Sequence, residues 1–116
     1  MSTKNGFIYL AQPYSSPDEA TILYRVEQAF KATAKLMDEG NLVFSPIVHT
    51  HELGKYINPD LAIKHEFWME QDIAILRHAA ELRILMLEGW QHSKGLAQEV
   101  LLAETCQIPI TFMEAI

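Results

Sequence analysis

A single cysteine, Cys106, leaves the chain without any possible internal disulfide, so its fold must rest on packing. Cys106 falls on a predicted helix, where a buried thiol is expected; no neighbouring constellation supports a catalytic one. Cations are scarce too. Nine Lys and Arg against fifteen Asp and Glu give a net charge of −6, which disfavours nonspecific binding to duplex nucleic acid or an anionic membrane and leaves a phosphate only a small local cationic pocket. No run approaches the roughly 20 apolar residues of a membrane span. The opening Met-Ser-Thr-Lys-Asn-Gly lacks the apolar core and small-residue cleavage site of a signal peptide, so a cytoplasmic protein is expected. Internal repeats, low-complexity segments and interdomain linkers are also missing. What remains is 116 residues, 49% hydrophobic and 21% charged. This is the balance of a globular protein rather than a disordered one, long enough for one domain over residues 1–116 with a single real core.

Phe7-Ile8-Tyr9-Leu10-Ala11 is a short apolar run of the kind that forms a strand buried on both faces. It ends at Gln12-Pro13-Tyr14-Ser15-Ser16. Ser16-Pro17-Asp18-Glu19 reads as a capping box with proline at the first helical position. The helix that follows places Ile22, Val26, Ala29, Phe30, Thr33 and Met37 on one face and Gln28, Lys31, Lys35 and Asp38 elsewhere, and Gly40 ends it. Asn41 to Ser45 form a second strand, stopped by Pro46. A loop carrying His49, His51, Gly54 and Pro59 is long enough for a lid or binding loop. Asp60 caps a helix running to about His78, whose apolar positions exceed one stripe, so one face is expected to meet another subunit. Glu81 to Leu87 form a third strand, Lys94 to Cys106 a third helix, and Pro109 to Phe112 a fourth strand.

The order β-α-β-α-β-α-β demands right-handed crossovers. The expected fold class is α/β, a Rossmann- or flavodoxin-like three-layer sandwich with a short parallel sheet of about four to five strands and helices on both faces. Ligands of such folds bind at the carboxyl ends of the strands. Those ends are Gln12 to Ser16, Ser45 to His51 and Gly89 to Gly95, three polar loops on one rim.

In the third loop, Ser93 and Gly95 precede a helix whose unpaired N–H groups and positive dipole end attract an anion. An ordinary helix cap accounts for the same residues, and the Gly-x-x-x-x-Gly-Lys-Ser/Thr pattern of nucleoside triphosphatases is missing. Glu99, one turn beyond Gly95, is either a solvated glutamate or a cleft carboxylate partly desolvated by Leu96, Val100 and Leu101, competent as nucleophile or base. His49 and His51 alternate on an extended segment and can face one side. Without a closing Cys or compact third ligand they read as pocket or loop residues rather than a metal site, and neither metal nor cofactor is expected. Trp68 and Trp90 are packing residues on the plain reading, with Trp90 the one placed to stack on a base. Arg25 either faces solvent, the expected reading, or reaches the cleft.

Ile8-Tyr9-Leu10-Ala11-Gln12-Pro13-Tyr14, Asp72, and Ser93-x-Gly95-x-x-x-Glu99 resemble the nucleoside 2-deoxyribosyltransferase-like proteins, which include the deoxynucleoside monophosphate N-glycosidases. The resemblance covers nearly the whole chain. Within that superfamily, Leu10-Ala11-x-Pro13-Tyr14-Ser15, Phe44-Ser45-Pro46-Ile47-x-His49-x-His51 and Gly89-Trp90-x-x-Ser93-x-Gly95 look most like the DUF1937 group. The resemblance implies N-glycosidic bond chemistry on a nucleoside or its 5′-monophosphate, with Glu99 attacking the anomeric carbon as in retaining glycoside hydrolysis. It makes Tyr14 the residue that orients Glu99 by a hydrogen bond, Asp72 the group that helps the base leave, and Ser93 with Gly95 the holder of a 5′-phosphate. Ser15, His49, His51 and Trp90 complete the expected substrate contacts. The glycine- and arginine-rich first loop of the monophosphate hydrolases is replaced here by Pro13-Tyr14-Ser15-Ser16. A homodimer or higher homo-oligomer is implied, since sites in that family are completed by a neighbouring chain. A noncatalytic nucleotide-binding module on the same scaffold is the competing reading.

Overall fold

The computed structural model describes residues 6–116. Four strands, β1 (Ile8–Ala11), β2 (Val43–Phe44), β3 (Glu81–Leu85) and β4 (Ile110–Met113), form one all-parallel sheet in the order β2-β1-β3-β4. The chain leaves β1 toward one edge and β3 toward the other, so the strand order reverses between β1 and β3, where such sheets open a crevice for ligands. Both faces are covered, as the sequence led us to expect. Leu10, Leu85 and Leu87 pack on Ala32 and Leu36 of helix α1 (Glu19–Asp38). Tyr9, Ala11, Leu82 and Ile84 pack on the opposite face, against Leu76 of α4 (His65–Leu76) and Leu96 and Ala103 of α5 (Lys94–Thr105).

Several local expectations are corrected. The buried stripe of α1 is Ala29, Ala32, Thr33 and Leu36 with Val26 and Gln28, and Phe30 and Met37 are more than half exposed. Small residues let the helix sit close to the sheet, and they hold the i, i+3, i+4, i+7 positions that the bulkier Phe30 and Met37 had suggested elsewhere. Asp18 rather than Ser16 is the N-cap, and Ser16 Oγ accepts from the Asp18 N–H at 3.1 Å. Gly40 adopts φ 95° just after α1, the left-handed turn expected of it.

The stretch after β2 is more helical than expected. Ser45 caps α2 (Pro46–Thr50) by accepting from the Val48 N–H at 3.2 Å, with Pro46 as first residue. A 3-10 turn (Leu53–Lys55) leads to α3 (Pro59–Ala62), capped by Asn58 rather than Asp60. The chain then breaks at Lys64, which is extended, before α4 begins. The single helix expected from Asp60 to His78 is therefore two. Of its apolar positions, Ile63 lies ahead of α4 and is 83% exposed, as is Tyr56 just before α3.

Cys106 is exposed, against expectation. Leu96, Glu99 and Ala103 form the buried stripe of α5, and Cys106 would extend it, but the helix ends at Thr105 and Gln107 turns the chain away with φ 58°. Among the described residues no helix is long and apolar enough to cross a membrane.

Candidate active site

A cavity of about 910 Å³ opens at the carboxyl ends of β1 and β3, walled by the Gln12–Pro17 loop, the start of α2, the α3–α4 region, and the loop and first turns of α5. Glu99 lies in its wall, one turn into α5 on the stripe that faces the sheet, and is 5% exposed. Strand alternation points Tyr9 to the same side of the sheet, where its hydroxyl, fully buried, donates to Glu99 Oε2 at 2.5 Å. Asp72 of α4 lines the same cavity, half-buried.

Burial pushes the Glu99 carboxyl up to about 8; the Tyr9 hydrogen bond works against that rise and the charge of Asp72 adds to it. Burial likewise raises Asp72 to about 6, partly offset by the nearby His65. Burial, then the charges of Glu99 and Asp72, hold the Tyr9 phenol far above its ordinary value, so Tyr9 stays a donor. Two carboxyl groups in one cleft with separated proton affinities are a common acid–base arrangement.

Glu99, Asp72, Tyr14, Ser15, Ser93, Gly95 and His51 all line the cavity, as expected. The partner of Glu99 is corrected: Tyr9 fills the role expected of Tyr14, whose hydroxyl instead pairs with His51 Nδ1 at 2.7 Å. The histidine pair is also corrected. Because Pro46–Thr50 is helical, residues two apart diverge, so His51 faces the cavity while the exposed His49 packs on the Phe44 ring at 5.4 Å. Trp90 turns away to stack near Phe112 at 5.8 Å. The indole in the cavity is Trp68, fixed by its N–H bond to the Ala62 carbonyl at 2.7 Å.

Ser93 is the N-cap of α5, accepting from the Leu96 N–H at 3.2 Å. A methyl group on Gly95 would stand 3.5 Å from His65 Cε1, an ordinary contact. Arg25 reaches the cleft, the less expected of its two readings, and is a clamp on the rim. Its guanidinium donates to the carbonyls of Ser15 at 2.8 Å and Tyr14 at 3.4 Å on one loop, and of Glu88 at 3.1 Å on the other. The next residue, Gly89, has φ +90°.

Arg25, Lys64 and Lys94 line the cavity together with His51, His65 and His92. Lys31, Lys35, Lys55 and Arg83 are paired with carboxylates elsewhere on the surface. The cleft thus gathers cationic groups in a chain of net charge −6. Among the described residues no three His, Cys, Asp or Glu gather as a ligand set for a metal ion.

Residues 6–115 match the family described as "Domain of unknown function (DUF1937)". No curated protein matches the chain.

Proposed function

We propose, for a chain that belongs to the DUF1937 family, the chemistry of the nucleoside 2-deoxyribosyltransferase-like proteins: cleavage or exchange of the N-glycosidic bond of a (deoxy)nucleoside or its 5′-monophosphate. The observation that carries this reading is the buried Glu99, tied through Oε2 to Tyr9 in a cleft that also holds Asp72. Glu99 Oε1 is then the attacking atom, and Tyr9 is the positioning residue that fixes its direction.

Between roughly pH 6 and 8 the two carboxyls hold one proton between them. The productive arrangement has the charge on Glu99 and the proton on Asp72. Glu99 Oε1 bonds to the anomeric carbon as the carbon–nitrogen bond breaks, and the leaving base takes the proton from Asp72. Water, or a nitrogen of a second base, then attacks the anomeric carbon and frees the Glu99 carboxylate while Asp72 accepts the proton. The cationic lining supports an anionic group on the ligand, consistent with a 5′-phosphate. On the same reading the chain acts in the cytoplasm as a homodimer, with the exposed Tyr56 and Ile63 available for a second copy to cover.

The second reading, a noncatalytic nucleotide-binding module, is favoured by the elevated Glu99, whose burial keeps its proton on at neutral pH. Purified protein incubated with a panel of nucleosides and 5′-monophosphates, with free base followed by chromatography, separates the two. Base release that vanishes in Glu99→Gln is the expected result. Binding without release in either protein favours the module, and no binding at all removes both.

A further inference from the structure

Gln12 lies immediately beyond β1, in the wall of the cavity, and is only 6% exposed. Its amide nitrogen donates to the Arg25 carbonyl of α1 at 2.8 Å and stands 3.4 Å from the Pro13 carbonyl. Both neighbours are carbonyl oxygens, so only the amino side of the amide can face them, which fixes the orientation of the side chain. The oxygen, Oε1, is shut off from solvent in that wall and has no hydrogen-bond partner among the described residues.

Such orphaned acceptors are uncommon in native folds and carry the desolvation penalty of the group. Two donors that line the same cavity are engaged elsewhere. The Arg25 guanidinium reaches carbonyls of both rim loops, and the Tyr14 hydroxyl is paired with His51. We propose that Gln12 Oε1 is an acceptor kept for the ligand, making Gln12 a specificity-determining residue that selects nucleosides presenting a neutral hydrogen-bond donor. That donor is a sugar O–H or an exocyclic N–H of the base. Tethered through its nitrogen, the side chain offers an acceptor alone, so a ligand carbonyl at that point meets oxygen with oxygen and is rejected. This inference rests on the nucleoside reading above and adds to it the chemical requirement on the ligand.

Isothermal titration tests it, with Glu99→Gln protein so that no ligand is consumed. The probes are adenosine, inosine, cytidine and uridine and their 5′-monophosphates, followed by the 2′-deoxy and 3′-deoxy forms of the tightest binder. Losing the donor that meets Gln12 is expected to weaken binding about tenfold. A drop in a deoxy form assigns the donor to the sugar, and a preference for the amino-bearing over the keto-bearing base assigns it to the base. Gln12→Met is expected to level the affinities. Gln12→Glu at pH 5, where burial at this position favours the protonated acid, is isosteric with the amide, able to donate to the Arg25 carbonyl and still accept, and is expected to retain the discrimination. Equal affinities across the panel for the protein bearing Gln12, or discrimination that survives Gln12→Met, overturn the assignment while leaving base release by the wild type intact. Silence toward every probe overturns the nucleoside reading and this inference together.

Discussion

Tyr9 and Glu99 lie 90 residues apart in sequence and meet through a 2.5 Å hydrogen bond inside the protein, phenol to carboxylate oxygen. The bond joins the central strand β1 to the first turns of α5, so the direction of the carboxylate is set by the sheet. Tyr9→Phe keeps the ring and removes the donor. Its bond lowers the Glu99 pKa, so the variant should carry Glu99 still higher. We expect kcat for base release to fall roughly 10- to 100-fold with KM little changed, a loss of about 1.4–2.7 kcal/mol of transition-state stabilisation. The basic side of the pH–rate profile should move upward. A loss confined to KM would remove Tyr9 from the positioning role.

Glu99→Gln separates chemistry from stability. In the folded chain the carboxyl titrates near 8, well above its ordinary value. Its favourable contribution is therefore fully present below the unfolded value and is lost as pH rises through about 8, because the native state must give up a proton it holds more tightly than the unfolded chain does. Denaturant unfolding should find wild type and variant nearly equal at pH 4. At pH 9 the variant should be the more stable, by an amount on the order of a few kcal/mol.

The proposed mechanism needs one proton shared by Asp72 and Glu99, so base release should follow a bell in pH. Activity rises as the first proton leaves, near 6, and falls as the second leaves, near 8. Asp72→Asn should abolish the bell. A profile flat from pH 5 to 9 would argue against this pair as the acid–base machinery.

Gly89 and Gly95 predict opposite outcomes for the same change. At Gly89, φ is +90° and a methyl group would stand 3.3 Å from the Arg25 guanidinium. Gly89→Ala should therefore cost roughly 1–2 kcal/mol in backbone strain and loosen the clamp. Thermal unfolding should drop by several degrees, with faster amide exchange around Ser15 and Glu88. At Gly95 the added methyl makes only ordinary contacts within a helix. Gly95→Ala should be neutral or stabilising by up to about 1 kcal/mol.

The two histidines test how the segment after β2 is folded. His51→Ala breaks the pairing with Tyr14 at the cavity wall and should weaken ligand binding several-fold. His49→Ala touches only the exposed contact with Phe44 and should leave binding within error. Equal effects in titration calorimetry would mean that both imidazoles reach the ligand.

The four strands, the three-layer order and the placing of Glu99 and Ser93 on one rim were legible in sequence, because apolar runs and cap residues act locally, whereas Asp72 came to that rim only through the family resemblance. Tyr9 is hidden in the sequence for a physical reason: inside a continuous apolar strand an inward tyrosine looks like core, and only the tertiary contact reveals its hydroxyl at work. Tyr14, the next tyrosine and the one on the loop, took its role. Ser45-Pro46 and Asn58-Pro59 are both cap-plus-proline starts, yet each opens a helix of five residues or fewer, too short for hydrophobic periodicity to show. The exchange of Trp90 for Trp68 follows from the same stretch, since the break at Lys64 sets the rotation of α4. Arg25 was unreadable for another reason: its partners are carbonyls, which every residue has.

Cys106 gives the molecule a unique chemical handle. It is the chain's single cysteine, is exposed, and sits about 10 Å along the helix from Glu99, at the end remote from the cleft. A maleimide fluorophore placed there alters no residue of the cavity. Its anisotropy would follow the tumbling of the labelled protein and so report the size of the assembly, while its distance to a labelled nucleotide would register occupancy in the same sample.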